Sequence, residues 1–239
     1  MQPPRNPIIR QLFDKESSTY TYLVVDPMSR EAAIIDPVLD QLERDLALIA
    51  EMDLTLRWVL ETHVHADHVT AAGLLRERTG AKTAASAIGA PCVDRQLADG
   101  DVIEVGAVRI TALSTPGHTD DGMTFEVPGH LFTGDTLLIR GCGRSDFQNG
   151  DAGRLYDSIT GVLFARPSTT VVWPGHDYKG FTSSTIGEEL CHNPRVAHKS
   201  RDEFIALMNA LDLPRPKKLD IAVPANKACG NLDTAAAHN

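Results

Sequence analysis

The sequence predicts a layered α/β protein. Three observations support this: β-rich runs alternate with segments of helical periodicity, the strands weight the first half, and no linker, charge block or internal repeat interrupts them. With 239 residues, 42% hydrophobic and 23% charged, the chain is within reach of a single domain around a large core.

YTYLVVD (20–26) and AAIID (32–36) flank the turn-forming PMSRE and read as paired strands. Leu39 to Met52 has helical periodicity, and LRWVLE (56–61) is a third strand running into THVHADH (62–68). Val69 to Arg78 reads as a helix ended by Gly80. Further strands are expected at AVRITALS (107–114), MTFEVP (123–128), HLFTGD (130–135) and TTVVWPG (169–175), with a helix around Arg154 to Phe164. After His176 the chain turns helical at Ser184 to Leu190 and Arg201 to Leu211, then ends in a Pro- and Ala-containing tail.

A formal charge of −9 excludes the basic face that nucleic acid or an anionic membrane surface would need, so a small molecule is the expected partner. No apolar run approaches the roughly 18 to 20 residues of a spanning helix. MQPPRNPIIRQ has no signal-peptide core and too little basic, Ser-rich length for a transit peptide, so the expected location is cytoplasmic. Cys92, Cys142, Cys191 and Cys229 form no C-x-x-C pair; in that compartment disulfides are not expected, and small buried hydrophobes are.

THVHADH packs three histidines and an aspartate between a strand and a helix, where side chains can converge without breaking a ladder. His63 and His65 could face one ion if the loop curls, and Asp67 and His68 another. STPGHTDDG, FTGDT and WPGHDY add His118, Asp135 and His176, each after a β-rich run and small residues. Strand ends meeting at one edge could present these groups together to a first-row metal. His130, His192, His198 and His238 have no motif around them and read as ordinary polar residues.

THVHADH, PGHTDD, GDT and PGHDY resemble, in order and spacing, the metallo-β-lactamase superfamily. The resemblance implies an αββα sandwich, with residues 1–239 as one such domain and a helical C-terminal extension from about residue 180. RGCGRSDFQNG (140–150), IIRQLFDKESSTYTYLV and VPANKACG are similar to the glutathione-persulfide dioxygenase (sulfur dioxygenase) branch, with Ser145 where Thr is commoner. That branch implies one Fe(II) per chain on His63, His118 and Asp135, a two-histidine, one-carboxylate face with open positions. His65, Asp67, His68 and His176 would then orient those ligands. It also implies oxidation of glutathione persulfide with O2 to sulfite and glutathione, and a homodimer. For substrate binding it points to Arg144, which would grip a glutathione carboxylate, with Cys142 on the same loop and Tyr178 beyond His176. Arg195 in CHNPRV is a less favoured alternative. A glyoxalase II-like hydrolase with two metals stays open, as does a non-catalytic thiol-binding module.

Overall fold

The structure, a computed structural model, describes residues 6–232. Two six-stranded sheets carry the chain. The first is ordered β1 (Ile8–Asp14), β2 (Thr19–Val25), β3 (Glu31–Ile35), β4 (Thr55–Leu60), β5 (Lys82–Ser86), β6 (Arg95–Leu97). Its first three strands pair antiparallel and the rest parallel. The second contains β7 (Val102–Val105), β8 (Val108–Ser114), β9 (Met123–Val127), β10 (His130–Gly134), β11 (Val171–Pro174) and β12 (Ser184–Thr185) in spatial sequence, with only β10–β11 parallel.

Side-chain alternation in β2 builds the layers, because it is buried on both faces. Tyr22 and Val24 enter the core between the sheets with Ala33, Ile35, Ile110, Phe125 and Phe132. Leu23 and Val25 point the other way, against α1 (Leu42–Glu51) and α2 (Ala72–Thr79) through Leu42, Ile49 and Leu75. The outer face of the second sheet, at Leu131 and Val172, packs on α3 (Ala152–Asp157), the π-helical turn Ser158–Leu163, α4 (Ile186–His192) and α5 (Arg201–Asn209). The implied αββα sandwich is therefore what forms. No helix among the described residues is long and apolar enough to cross a membrane.

Four expectations need correction. The second helix starts at Ala72, not Val69, because residues 69–71 pair with the segment after β3: Leu39 N–H donates to Val69 O, and Ala71 N–H to Pro37 O (2.8 and 2.9 Å). The tail holds another helix, α6 (Leu219–Lys227), despite Pro224, which cannot donate to the carbonyl four residues back. Cys92 and Cys229 are joined in a disulfide although they stand 137 residues apart, because α6 returns to the start of α2, where Gly73 N–H donates to Cys229 O (2.8 Å). Sequence spacing carries no information about that closure. Cys191, expected to be buried, is exposed, whereas Cys142 is buried. His238 lies outside the described residues.

Gly80 ends α2 in the left-handed region (φ 74°), its N–H donating to Arg76 O, and a Cβ there would meet nothing within 4 Å. Gly80→Ala therefore adds backbone strain alone. It should lower unfolding stability by about 1–2 kcal/mol. In urea titration the midpoint should fall with the slope unchanged; an unshifted midpoint would contradict the cap assignment.

Candidate metal centre

Four strand ends and the loops that follow them meet at one edge of the sandwich, where the two sheets are stitched by backbone bonds. Tyr20 N–H donates to Gly175 O (2.8 Å) and Met123 N–H to Thr62 O (2.7 Å), while Gly175 N–H donating to Gly134 O (2.7 Å) ties the neighbouring ends of β11 and β10 within the second sheet. The loop after β4 delivers His63, the turn after β8 His118, the end of β10 Asp135 and the end of β11 His176.

One ligand atom each from His63, His118 and Asp135 lies within 4.8 Å of the others. Both imidazoles are held by Nδ1, at 3.0 Å from Thr62 Oγ1 in His63 and 2.6 Å from the Arg144 carbonyl in His118. That leaves Nε2 of each as the free donor atom, with His118 Nε2 3.7 Å from Asp135 Oδ2. Thr62 is fixed by Asp36, whose Oδ1 and Oδ2 accept from its N–H and Oγ1–H (2.7 and 2.8 Å). Burial, together with His65 and His118, holds the His63 pKa well below the usual imidazole value, keeping it neutral. Burial alone would raise Asp135, but His176, His118 and His63 outweigh it and keep the carboxyl ionised. Two neutral-capable nitrogens and a carboxylate oxygen suit a divalent first-row metal.

The other acid and imidazole groups bond to one another. Asp135 Oδ1 meets His176 Nδ1 at 2.6 Å, and His176 Nε2 meets Asp67 Oδ2 at 2.9 Å. The same Asp67 oxygen also meets His68 Nδ1 (2.9 Å) and Thr19 Oγ1 (3.1 Å). Burial opposes protonation of His176, but the two flanking carboxylates prevail and hold its pKa well above the ordinary value. His65 does not join His63 as the sequence reading allowed. Its Nε2 turns to Asp36 Oδ1 (3.1 Å) and Glu61 Oε2 (3.7 Å), so it faces the buried end of the loop. His65, Asp67 and His68, and separately Asp36, Glu61 and His65, also bring ligand atoms together.

A cleft of about 570 Å³ opens over His118, Asp135 and His176. Tyr178 stands at its mouth, 72% exposed, its ring within 2° of parallel to that of His176. Cys142 lines the wall as a buried thiol, pushed up to about 12 by burial and so uncharged. Arg144 reaches the cleft, but its guanidinium is not open as expected. Nε and Nη2 grip Asp146 (2.6 and 2.7 Å), and Nη1 donates to Pro214 O (2.7 Å). An acid two residues along takes the fork first. Lys179 and Arg195 also line the cleft, and neither has a carboxylate within ion-pair distance among the described residues. Asp36, Glu61, Thr19 and Thr62 were missed as site residues. Asp36 ends AAIID much as Asp135 ends its strand, a usable signal; the hydroxyls and Glu61 gave none.

The metallo-beta-lactamase superfamily pattern matches residues 14–92 and 87–176. The chain is 46% identical over 226 residues to the human mitochondrial persulfide dioxygenase ETHE1, covering 93% of this chain and 89% of that protein. It superimposes on the crystal structure of ETHE1 from Myxococcus xanthus with a TM-score of 0.93 at 59% identity, covering 94% of this chain and all of that one. A hydroxyacylglutathione hydrolase from Cereibacter sphaeroides is 37% identical over 167 residues, 68% of this chain and 64% of that protein.

A Cβ on Gly143 would sit 2.6 Å from Asp135 O and 2.7 Å from His118 Nδ1, so Gly143→Ala displaces two candidate ligands together. We expect a folded variant whose affinity for a divalent first-row metal, measured by chelator competition, falls by roughly the 10- to 100-fold seen when ligand-orienting contacts are lost. Wild-type affinity would show that the close packing does not set the ligand positions.

Proposed function

The chain belongs to the metallo-beta-lactamase superfamily, and within it we propose that it is an iron-dependent persulfide dioxygenase, oxidising glutathione persulfide with O2 and water to sulfite and glutathione. The observation that carries the reading is the three-donor group of His63, His118 and Asp135, two members of which, His118 and Asp135, line the cleft. The end-to-end likeness to persulfide dioxygenases supports it, whereas the likeness to the thioester hydrolase is partial.

His63, His118 and Asp135 would hold one Fe(II), which would supply the means to bind and activate the persulfide sulfur and dioxygen. The chain supplies order and charge. Asp36, through Thr62, fixes the tautomer of His63, and the Arg144 carbonyl does the same for His118. His176, clamped between Asp135 and Asp67, holds the ligand carboxylate in one rotamer and its charge in check. His65 and His68 complete the packing of that loop. The Cys142 wall gives the outer sulfur an apolar, non-nucleophilic neighbour. Arg144 holds the Leu213–Pro214 side of the cleft in place, and Tyr178 covers the mouth. Arg195 and Lys179 take the glutathione carboxylates, since they are the cleft cations without an acid partner among the described residues. A single domain over 1–239 with a helical extension from about residue 180, a homodimer and a cytoplasmic location belong to the same proposal; the human relative is described as mitochondrial, and cell fractionation distinguishes the two locations.

His63→Ala, His118→Ala and Asp135→Ala should each lose iron and activity together. His176→Ala and Asp67→Ala should keep most of the iron while activity falls by roughly 10- to 100-fold. Loss of half of a two-metal complement in the latter pair would favour the hydrolase instead.

Arg195→Ala and Lys179→Ala should raise KM for glutathione persulfide several-fold with kcat and iron content nearly unchanged, the signature of lost uniform binding. A persulfide without carboxylates should not distinguish them from wild type. An unaltered KM in both would return the carboxylate to Arg144.

A further inference from the structure

Asn226 is 5% exposed, sits near the end of α6 and touches none of the candidate ligands, yet its side chain spans the histidine loop. Its Oδ1 accepts from Thr70 N–H (2.8 Å), and its Nδ2 donates to His65 O and His68 O (2.9 Å each). One amide thus satisfies three buried backbone groups of residues 65–70. Leaving any of them unpaired costs on the order of 1–3 kcal/mol. The segment it holds carries Asp67, whose carboxylate reaches Asp135 through His176.

The helix that presents Asn226 cannot hold its own place. It is nine residues long with Pro224 inside, well short of the roughly 12–15 residues at which isolated helices become even marginal. Its seat is made at its end, where the Cys92–Cys229 disulfide ties it to the segment after β5 and Cys229 O takes the Gly73 N–H at 2.8 Å. Gly73 has no room for a side chain, because a Cβ would come 2.6 Å from that carbonyl. Cys229 is buried, whereas Cys92 is partly exposed.

We propose that Asn226 is a positioning residue for the histidine loop and that the Cys92–Cys229 disulfide is its covalent lock, so that reduction by a low-molecular-weight thiol loosens the metal site. A thiolate attacks the sulfur of the partly exposed Cys92 and Cys229 leaves as a thiolate. A second thiol then resolves the mixed disulfide, so two thiols are oxidised to a disulfide as the protein bond becomes two cysteine thiols. Glutathione, the product under the proposed function, is a thiol of this class. The inference rests on that reading for the identity of the metal and of this thiol alone.

The test uses Fe(II)-loaded wild type, Cys92→Ser, Asn226→Ala and Asn226→Asp. Each is examined with and without tris(2-carboxyethyl)phosphine, which cleaves disulfides without adding a thiol that competes for iron. The readouts are amide exchange over residues 65–70 against that of β8 and β9, and iron release to a chelator. Reduced wild type should exchange its 65–70 amides and release iron several-fold faster with the strands unchanged. Cys92→Ser should match it without responding to the phosphine. Asn226→Ala should release iron roughly 10- to 100-fold faster. Asn226→Asp, which turns the donor into an oxygen facing two carbonyls, should fare no better. Four free thiols in protein isolated without reductant, or unchanged exchange and release once the bond is cut, would overturn the lock. A folded Asn226→Ala with wild-type exchange at 65–70 would overturn the positioning role; if that variant does not fold, Asn226→Asp and Cys92→Ser decide. Oxygen uptake by wild type is scored separately, so a loop that responds in a protein without dioxygenase activity refutes the proposed function and leaves the latch standing.

Discussion

Crowding ionisable side chains into a buried edge between two sheets is costly unless their polar atoms find partners, and Asp135, His176 and Asp67 meet this constraint by bonding to one another. Asp135 is central to it. One of its oxygens is taken by His176 and the other faces His118, so a single carboxylate both closes the network and offers a donor. The network then extends outward through Asp67 to His68 and Thr19. On the other side it passes through Thr62 to Asp36. Each link fixes a rotamer, and the fixed rotamers leave three donor atoms within 4.8 Å of one another.

The fold supplies the rigidity that such a network requires. The wholly buried β2 joins the inter-sheet core to the helix layer through alternate residues, and its first residues stitch onto the end of β11 beside His176. Tyr22 Oη–H reinforces the join by donating to Pro174 O (2.6 Å). The sheets therefore cannot slide without pulling the ligands apart. From the far side, α6 and Asn226 brace the histidine loop by its backbone.

Features encoded locally were legible in the sequence. The β2 and β3 runs, the Gly80 stop and the habit of placing His or Asp just beyond a strand all have short-range causes, and together they led to the 62–68 histidine string, His118, Asp135 and His176; the narrower set of His63, His118 and Asp135 is what the family resemblance implies. Features that depend on distant partners were not. The three-residue β6 and the four-residue β7 are too short to show a period, and β1 lacks clean alternation because several of its residues are half-buried. Pro224 masked α6, the disulfide closes across 137 residues, and the Arg144 fork is taken by a neighbouring acid and a carbonyl near residue 214. His65 illustrates the limit within the motif itself: its spacing from His63 left two directions open, and the buried Asp36 and Glu61 decided between them.

On the proposed reading, a two-histidine, one-carboxylate face beside a cleft whose Lys179 and Arg195 have no acid partner among the described residues would suit a metal with open positions and a substrate with anionic groups at a distance from the reacting atom. The most direct measurement is metal content of aerobically purified protein combined with oxygen uptake on adding glutathione persulfide. About one iron per chain, with one O2 consumed and one sulfite formed per persulfide, is the predicted result. Two zinc ions per chain, no uptake and rapid cleavage of a glutathione thioester would contradict it.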